Sequence, residues 1–154
     1  MFFYKNLSKS LTTLFALFMM MSSQVSLAET TPSNEHISFN VPWIRAMPPM
    51  VMSTAGYAEI HNSSHVADKL IRIWSPTINK IEIHQTKQVD GVFKMLPAEN
   101  TTIPPKGKLV LQPGGYHLML MGSKSSLVEN ENILINFEFE RAGVVQMNFP
   151  IRKK

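Results

Sequence analysis

The sequence contains 154 residues with 11 methionines and no cysteine, and its formal net charge is +4. The absence of cysteine excludes disulfide bonds, thiol catalysis, metal sites that require a thiolate, and a lipid-modified N-terminal cysteine. The small net charge, without a basic stripe or an aromatic ladder, argues against a nucleic-acid-binding protein.

The first 28 residues have the three-part layout of a secretory signal peptide. Lys5 and Lys9 precede an apolar run over residues 11–21, and small residues then lead to Ala28. The run is shorter than the roughly 20 residues that a membrane-spanning helix needs, which disfavours an uncleaved anchor. We therefore expect cleavage after Ala28, export, and no stable membrane insertion of the processed chain.

The rest of the chain has the pattern of one all-β domain. Residues 29–40 are polar and predict a flexible lead-in, and the domain is expected over 41–154. Short apolar alternations separated by Pro, Gly, Asn and Asp predict an antiparallel Greek-key β-sandwich, with hairpins at Asp90-Gly91 and Ala142-Gly143. No segment has sustained helical periodicity. The predicted strands are 41–46, 53–61, 69–74, 80–87, 92–96, 108–111, 116–121, 132–141 and 144–151.

The predicted strand 116–121 carries metal-binding residue types on one face. Successive side chains of a strand point to opposite faces. Tyr116, Leu118 and Leu120 therefore form a core face, and His117, Met119 and Met121 lie on the other face. Thioethers are poor ligands for zinc, calcium and magnesium and good ligands for Cu(I). The second face thus predicts a site for a soft monovalent metal, in which Met121 either packs below the ligands or adds a fifth bond.

Two further residues, His84 and Met95, carry donor atoms of the same types. In the strand 80–87, Ile81 and Ile83 take the core face, which leaves His84 on the outer face. After the Asp90-Gly91 turn, Met95 returns to the neighbourhood of His84. A second cluster, whose role is open between an edge of the site and a packed loop, contains Met47, Met50 and Met52. The aromatic residues expected in the core are Tyr57 and Trp74.

The spacing of these donors resembles a known signature. His84 is followed by ten residues and Met95, then by 21 residues and His117, then by one residue and Met119. This H-x10-M-x21-H-x-M pattern resembles that of the PCuAC family of periplasmic copper chaperones. The sequence of residues 113–122 is also similar to the corresponding segment of the family, and the resemblance covers roughly 41–150.

The resemblance implies a cupredoxin-like fold that holds one Cu(I) at an exposed site. Its ligands would be His84, Met95, His117 and Met119. Many relatives have an extra methionine just after the first histidine, and Gln85 and Thr86 stand there in this chain. The chain also ends without the tail rich in His and Met that some relatives carry.

The expected function is a periplasmic metallochaperone that binds Cu(I) and delivers it to an acceptor. The resemblance points to a subunit of cytochrome c oxidase or another copper assembly factor as this partner. Two alternatives remain open: a copper buffer or resistance protein without a dedicated acceptor, and a structural β-sandwich with an incidental His/Met face. An enzyme is not expected, because the sequence has no serine elbow and no paired carboxylates in apolar surroundings.

Overall fold

The computed structural model describes residues 36–48 and 51–153. The predicted signal peptide, residues 1–28, lies outside these residues, as does the lead-in up to residue 35. The described part of the chain contains no helix long and apolar enough to cross a membrane. Its ten strands are β1 (Ile37–Arg45), β2 (Ser53–Asn62), β3 (Asp68–Trp74), β4 (Ile78–Val89), β5 (Val92–Pro97), β6 (Thr102–Ile103), β7 (Lys108–Leu111), β8 (Tyr116–Ser123), β9 (Asn132–Phe139) and β10 (Gly143–Arg152).

Strand β1 begins earlier than the sequence pattern predicts. Residues 37–40, assigned above to the flexible lead-in, are part of the strand and pair with β2 from Ile37 opposite Asn62 to Asn40 opposite Glu59. Ile37 is buried, and the ring of Phe39 lies 4.6 Å from that of Phe137. The lead-in prediction is therefore wrong for 37–40, because Ile37 and Phe39 pack into the core. The short β6 was also not predicted.

The strands form one continuous hydrogen-bonded series that folds over on itself. Their order is β5-β4-β8-β7-β2-β1-β10-β9-β3-β6, with an additional pairing of β8 and β2. Although β3 and β4 are far apart in this order, Leu70 of β3 and Ile81 of β4 line the same groove. This arrangement is the predicted β-sandwich. Two pairings, β1 with β10 and β7 with β8, are parallel, and the others are antiparallel.

The core fixes the register between the strands that carry the candidate donors. Leu118 and Leu120 of β8 are fully buried opposite Ile83 and Ile81 of β4. Gly56 of β2 lies opposite Leu118, and a Cβ at this position would meet the Leu120 side chain at 3.2 Å. The close approach of β2 to β8 therefore depends on a residue without a side chain.

We expect Leu118→Ala to lower the free energy of unfolding by about 2–5 kcal/mol, because Leu118 is fully buried and truncation leaves a cavity. Urea denaturation followed by circular dichroism measures the change. Leu134→Ala is the control, since this leucine of β9 is 37% exposed and its truncation removes less buried surface. Equal losses in the two variants would contradict the assignment of Leu118 to the core.

Candidate metal centre

The pairing of β4 with β8 places the two predicted histidines side by side. His84 lies directly opposite His117, and Glu82 lies opposite Met119. Directly opposed residues of an antiparallel pair project from the same face of the sheet. The ring centroids of the two histidines are 6.2 Å apart. The alternation predicted from the sequence therefore brings His84, His117 and Met119 to one face, opposite the buried leucines.

Met95 reaches this face from the neighbouring strand. It lies opposite Thr86 in the β4–β5 hairpin and is 60% exposed. Met95, His117 and Met119 line a common cavity of about 200 Å³. His84 borders this group through its contact with His117 and does not line the cavity itself. Three of the four predicted ligands thus share a cavity, and the fourth adjoins it.

The imidazole of His117 is buried, and only one of its two nitrogen atoms has a hydrogen-bond partner among the described residues. It is 3% exposed, whereas the sequence pattern predicts an exposed site residue. Its burial follows from the cavity walls, which β2, β5 and Gly114 supply on this face. The His117 Nδ1 atom lies 3.2 Å from the Gly115 carbonyl oxygen. A carbonyl only accepts, so Nδ1 carries the proton.

The other nitrogen of the same ring is therefore an acceptor without a donor. The His117 Nε2 atom is buried and has no hydrogen-bond partner among the described residues. An unpaired buried polar atom costs about 1–3 kcal/mol, so such atoms are rare unless they serve a function. A neutral imidazole with its second nitrogen bonded to a carbonyl is the usual form of a histidine metal ligand. The environment of His117 fits a metal ion at Nε2.

His84 has a different set of partners. Its Nε2 atom lies 3.1 Å from Glu82 Oε2, and Glu82 Oε1 lies 2.8 Å from Lys80 Nζ. The Lys80 ammonium and, after it, the His84 imidazole hold the pKa of the Glu82 carboxyl below its ordinary value. Lys80, Glu82 and His84 alternate along one face of β4, so this row of contacts follows from the period of the strand.

Sequence reasoning missed two residues of this face. Tyr57 is buried, as expected, but it also lines the cavity beside His117, and its ring lies 4.6 Å from that of Trp43. Only the pairing of β2 with β8, a contact between distant parts of the chain, reveals this position. Glu82 precedes His84 by two residues, so the alternation alone would have found it. Trp74, also expected in the core, is half-buried with Arg72 Cζ 4.1 Å above its ring.

The other methionines lie apart from the cavity. Met121 is half-buried on the same face, opposite Ser53 and Lys80, and does not line the cavity. Met47 bridges to Leu127 and packs against the core. Met52 is 77% exposed, and Met50 lies outside the described residues.

The donor types around the cavity favour a soft metal. Within residues 36–48 and 51–153, no group of three or more His, Asp or Glu side chains is arranged to hold a metal ion. A harder ion such as Zn²⁺ or Ca²⁺ prefers such groups. The cavity instead joins the free His117 Nε2 to the thioethers of Met95 and Met119. This combination fits Cu(I).

Similarity to known proteins assigns this chain to a family. Residues 37–151 match the family model described as lipoprotein LpqE-like. The chain belongs to the LpqE-like family. RP573 of Rickettsia prowazekii is 30% identical to this LpqE-like chain over 113 residues, which cover 71% of the chain and 62% of RP573. The chain spans about 60% of the length of the curated relatives that it matches.

Solved structures with the same fold include copper-binding domains. The apo PCuAC domain from PmoF1 is 26% identical, with a TM-score of 0.65, over 77% of the LpqE-like chain and 95% of the domain. The Cu(I) form of DR1885 from Deinococcus radiodurans is also 26% identical, with a TM-score of 0.62 and 86% of each chain covered. The predicted cupredoxin-like β-sandwich is thereby confirmed.

We expect His117→Leu to leave the unfolding free energy of the metal-free protein within about 1 kcal/mol of the original value. The variant loses the bond to the Gly115 carbonyl, but that oxygen still accepts from the Thr86 amide, and an unpartnered buried nitrogen is removed. Urea denaturation measures the result. A loss above about 2 kcal/mol would show that Nε2 has a stabilising partner in the metal-free protein.

Proposed function

We propose that this protein is an exported copper chaperone that holds one Cu(I) through His84, Met95, His117 and Met119 and passes it to an acceptor protein. The observation that carries the proposal is the buried His117 Nε2, which has no partner and adjoins a cavity lined by two thioethers. The similarity to PCuAC domains supports it, because one of these structures is a Cu(I) form. Copper is the cargo of such a protein.

The donor set suits binding that must later be reversed. Two imidazoles and two thioethers are neutral, so the site accepts Cu(I) without burying a ligand carboxylate. His117 is 3% exposed and is held by the Gly115 carbonyl, whereas Met95 is 60% exposed on a strand whose residues are all exposed. In this proposal His117 keeps the ion in place, and Met95 is the ligand that an acceptor displaces first.

The compartment and the acceptor follow from the sequence expectations. The predicted signal peptide and the lipoprotein description of the family both support export, and we propose the periplasm. The proposed acceptor is a copper-binding subunit of cytochrome c oxidase or another copper assembly factor. No catalytic step is proposed, because none is needed for transfer between ligand sets.

We expect Met119→Leu to reduce Cu(I) affinity by more than the roughly 10–100-fold typical of losing an outer-shell partner, because a direct ligand is removed. Weak Zn²⁺ binding is expected to stay unchanged, since thioethers contribute little to it. Competition with a Cu(I) chelator and a Zn²⁺ indicator measures both.

Met147→Leu is the matched control for this experiment. Met147 is a partly buried methionine of β10 that packs against the core and does not line the cavity. Its substitution changes volume and polarity in the same way, so copper affinity should stay at its original value. An equal loss in both variants, or no loss in Met119→Leu, would refute the ligand assignment.

A chaperone and a buffer share the same site but differ in transfer. We expect the Cu(I)-loaded protein to metallate the purified copper domain of an oxidase subunit faster than the same copper load delivered by a small-molecule chelator of equal affinity. Absorption of the acceptor's copper centre measures the rate, in samples withdrawn at intervals and oxidised with ferricyanide, because a centre that holds only Cu(I) has no visible band. Transfer no faster than from the chelator would favour the buffer or resistance role.

A further inference from the structure

We propose that Glu82 is a positioning residue for copper: its carboxylate accepts a hydrogen bond from His84 Nε2–H and thereby keeps the Nδ1 lone pair of His84 available to the metal. This inference rests on the proposed function, since it names what prepares one of the proposed ligands. Glu82 itself is not proposed to contact the ion.

The direction of the Glu82–His84 bond follows from chemistry. A deprotonated carboxylate only accepts hydrogen bonds, so the proton of the 3.1 Å contact belongs to His84 Nε2. Lys80 Nζ, which can only donate, lies 2.8 Å from the other carboxylate oxygen. In a neutral imidazole, a proton on Nε2 leaves the lone pair on Nδ1.

The two proposed histidine ligands are therefore held in opposite tautomers. His117 carries its proton on Nδ1 and offers Nε2, whereas His84 carries its proton on Nε2 and offers Nδ1. In each case the atom that holds the proton faces a fixed acceptor. Such acceptors orient the ring and raise the basicity of the ligating nitrogen, and their loss typically costs about 10–100-fold in metal affinity.

Glu82 also lies where its negative charge can compensate the positive charge of a bound Cu(I). It is opposite Met119 and two residues from His84, on the face that carries the donors. All four proposed ligands are neutral, so a bound Cu(I) brings an uncompensated positive charge to the site. The Glu82 side chain is 36% exposed and that of Lys80 is 61% exposed, so the carboxylate is less screened by solvent than the ammonium.

Glu59 and His61 of β2, with Lys108 of β7, form a second group of the same three residue types that does not line the cavity. Glu59 Oε2 lies 2.9 Å from His61 Nε2, and Glu59 Oε1 lies 3.0 Å from Lys108 Nζ. His61 Nε2 is also 3.2 Å from the Asn40 side-chain amide. The Glu59 group shows that an alternating Glu–His pair is by itself an ordinary surface contact. It also supplies a control in which a glutamate contacts the histidine two residues later in its strand, away from the cavity.

The test compares Glu82→Leu, Glu82→Gln and Glu59→Leu in the full-length mature protein. Two-dimensional ¹H–¹⁵N correlation of the histidine side chains in the metal-free protein reports the His84 tautomer, and chelator competition reports Cu(I) affinity. We expect His84 to be protonated on Nε2 in the original protein and in Glu82→Gln, whose amide oxygen still accepts, and to become a mixture in Glu82→Leu.

We expect Glu82→Leu to lose about 10–100-fold in Cu(I) affinity, Glu82→Gln to lose less, and Glu59→Leu to lose none. Unchanged affinity in Glu82→Leu, with His84→Ala still abolishing tight binding, would overturn the role of Glu82 and leave the proposed function standing. Tighter binding in Glu82→Leu would also overturn it, because Glu82 would then compete with copper for His84. Failure of the original protein to bind Cu(I) would refute the proposed function itself.

Discussion

The antiparallel register between β4 and β8 is the constraint on which the candidate site depends. It sets His84 opposite His117 on one face and Ile83 opposite Leu118 on the other. A slip by one residue would move every side chain of one strand to the wrong face. The fully buried leucines of β8 oppose such a slip, because it would expose them. The donors are therefore placed by the packing beneath them and need no metal to assemble.

Much of this arrangement follows from local patterns that a sequence displays. The alternation along β4 and β8 predicts which residues face the core, and the Asp90-Gly91 turn predicts that Met95 returns beside β4. What could not be predicted depends on partners distant in the chain. Ile37–Asn40 resembles a polar lead-in until β2 pairs with it, and the place of the buried Tyr57 beside the cavity follows only from the pairing of β2 with β8. The burial of His117 has the same origin, because walls from β2 and β5 enclose it.

The stability of the domain and the proposed binding of copper are carried by different residues. The aromatic and aliphatic core lies on the inner faces of the strands, while the donors lie on the outer face of β4, β5 and β8. Exchanging a donor for a side chain of similar volume therefore removes little buried apolar area. His117 is the exception to this separation, since it is both buried and a proposed ligand.

The strand that carries Met95 is held less firmly than the strands that carry the histidines. All residues of β5 are exposed, and the hairpin sets Lys94 directly opposite Lys87, a like-charge pair that is destabilising. Few buried contacts and exposed hydrogen bonds are the physical signs of a segment that opens easily. In contrast, β8 is paired with β4 from Tyr116 to Ser123 and also with β2 from Leu118 to Met121. A metal site built from one easily opened strand and one firmly held strand can retain its ion while the protein is alone. It can still release the ion when a partner supplies a replacement ligand, whereas a uniformly rigid site would resist this exchange.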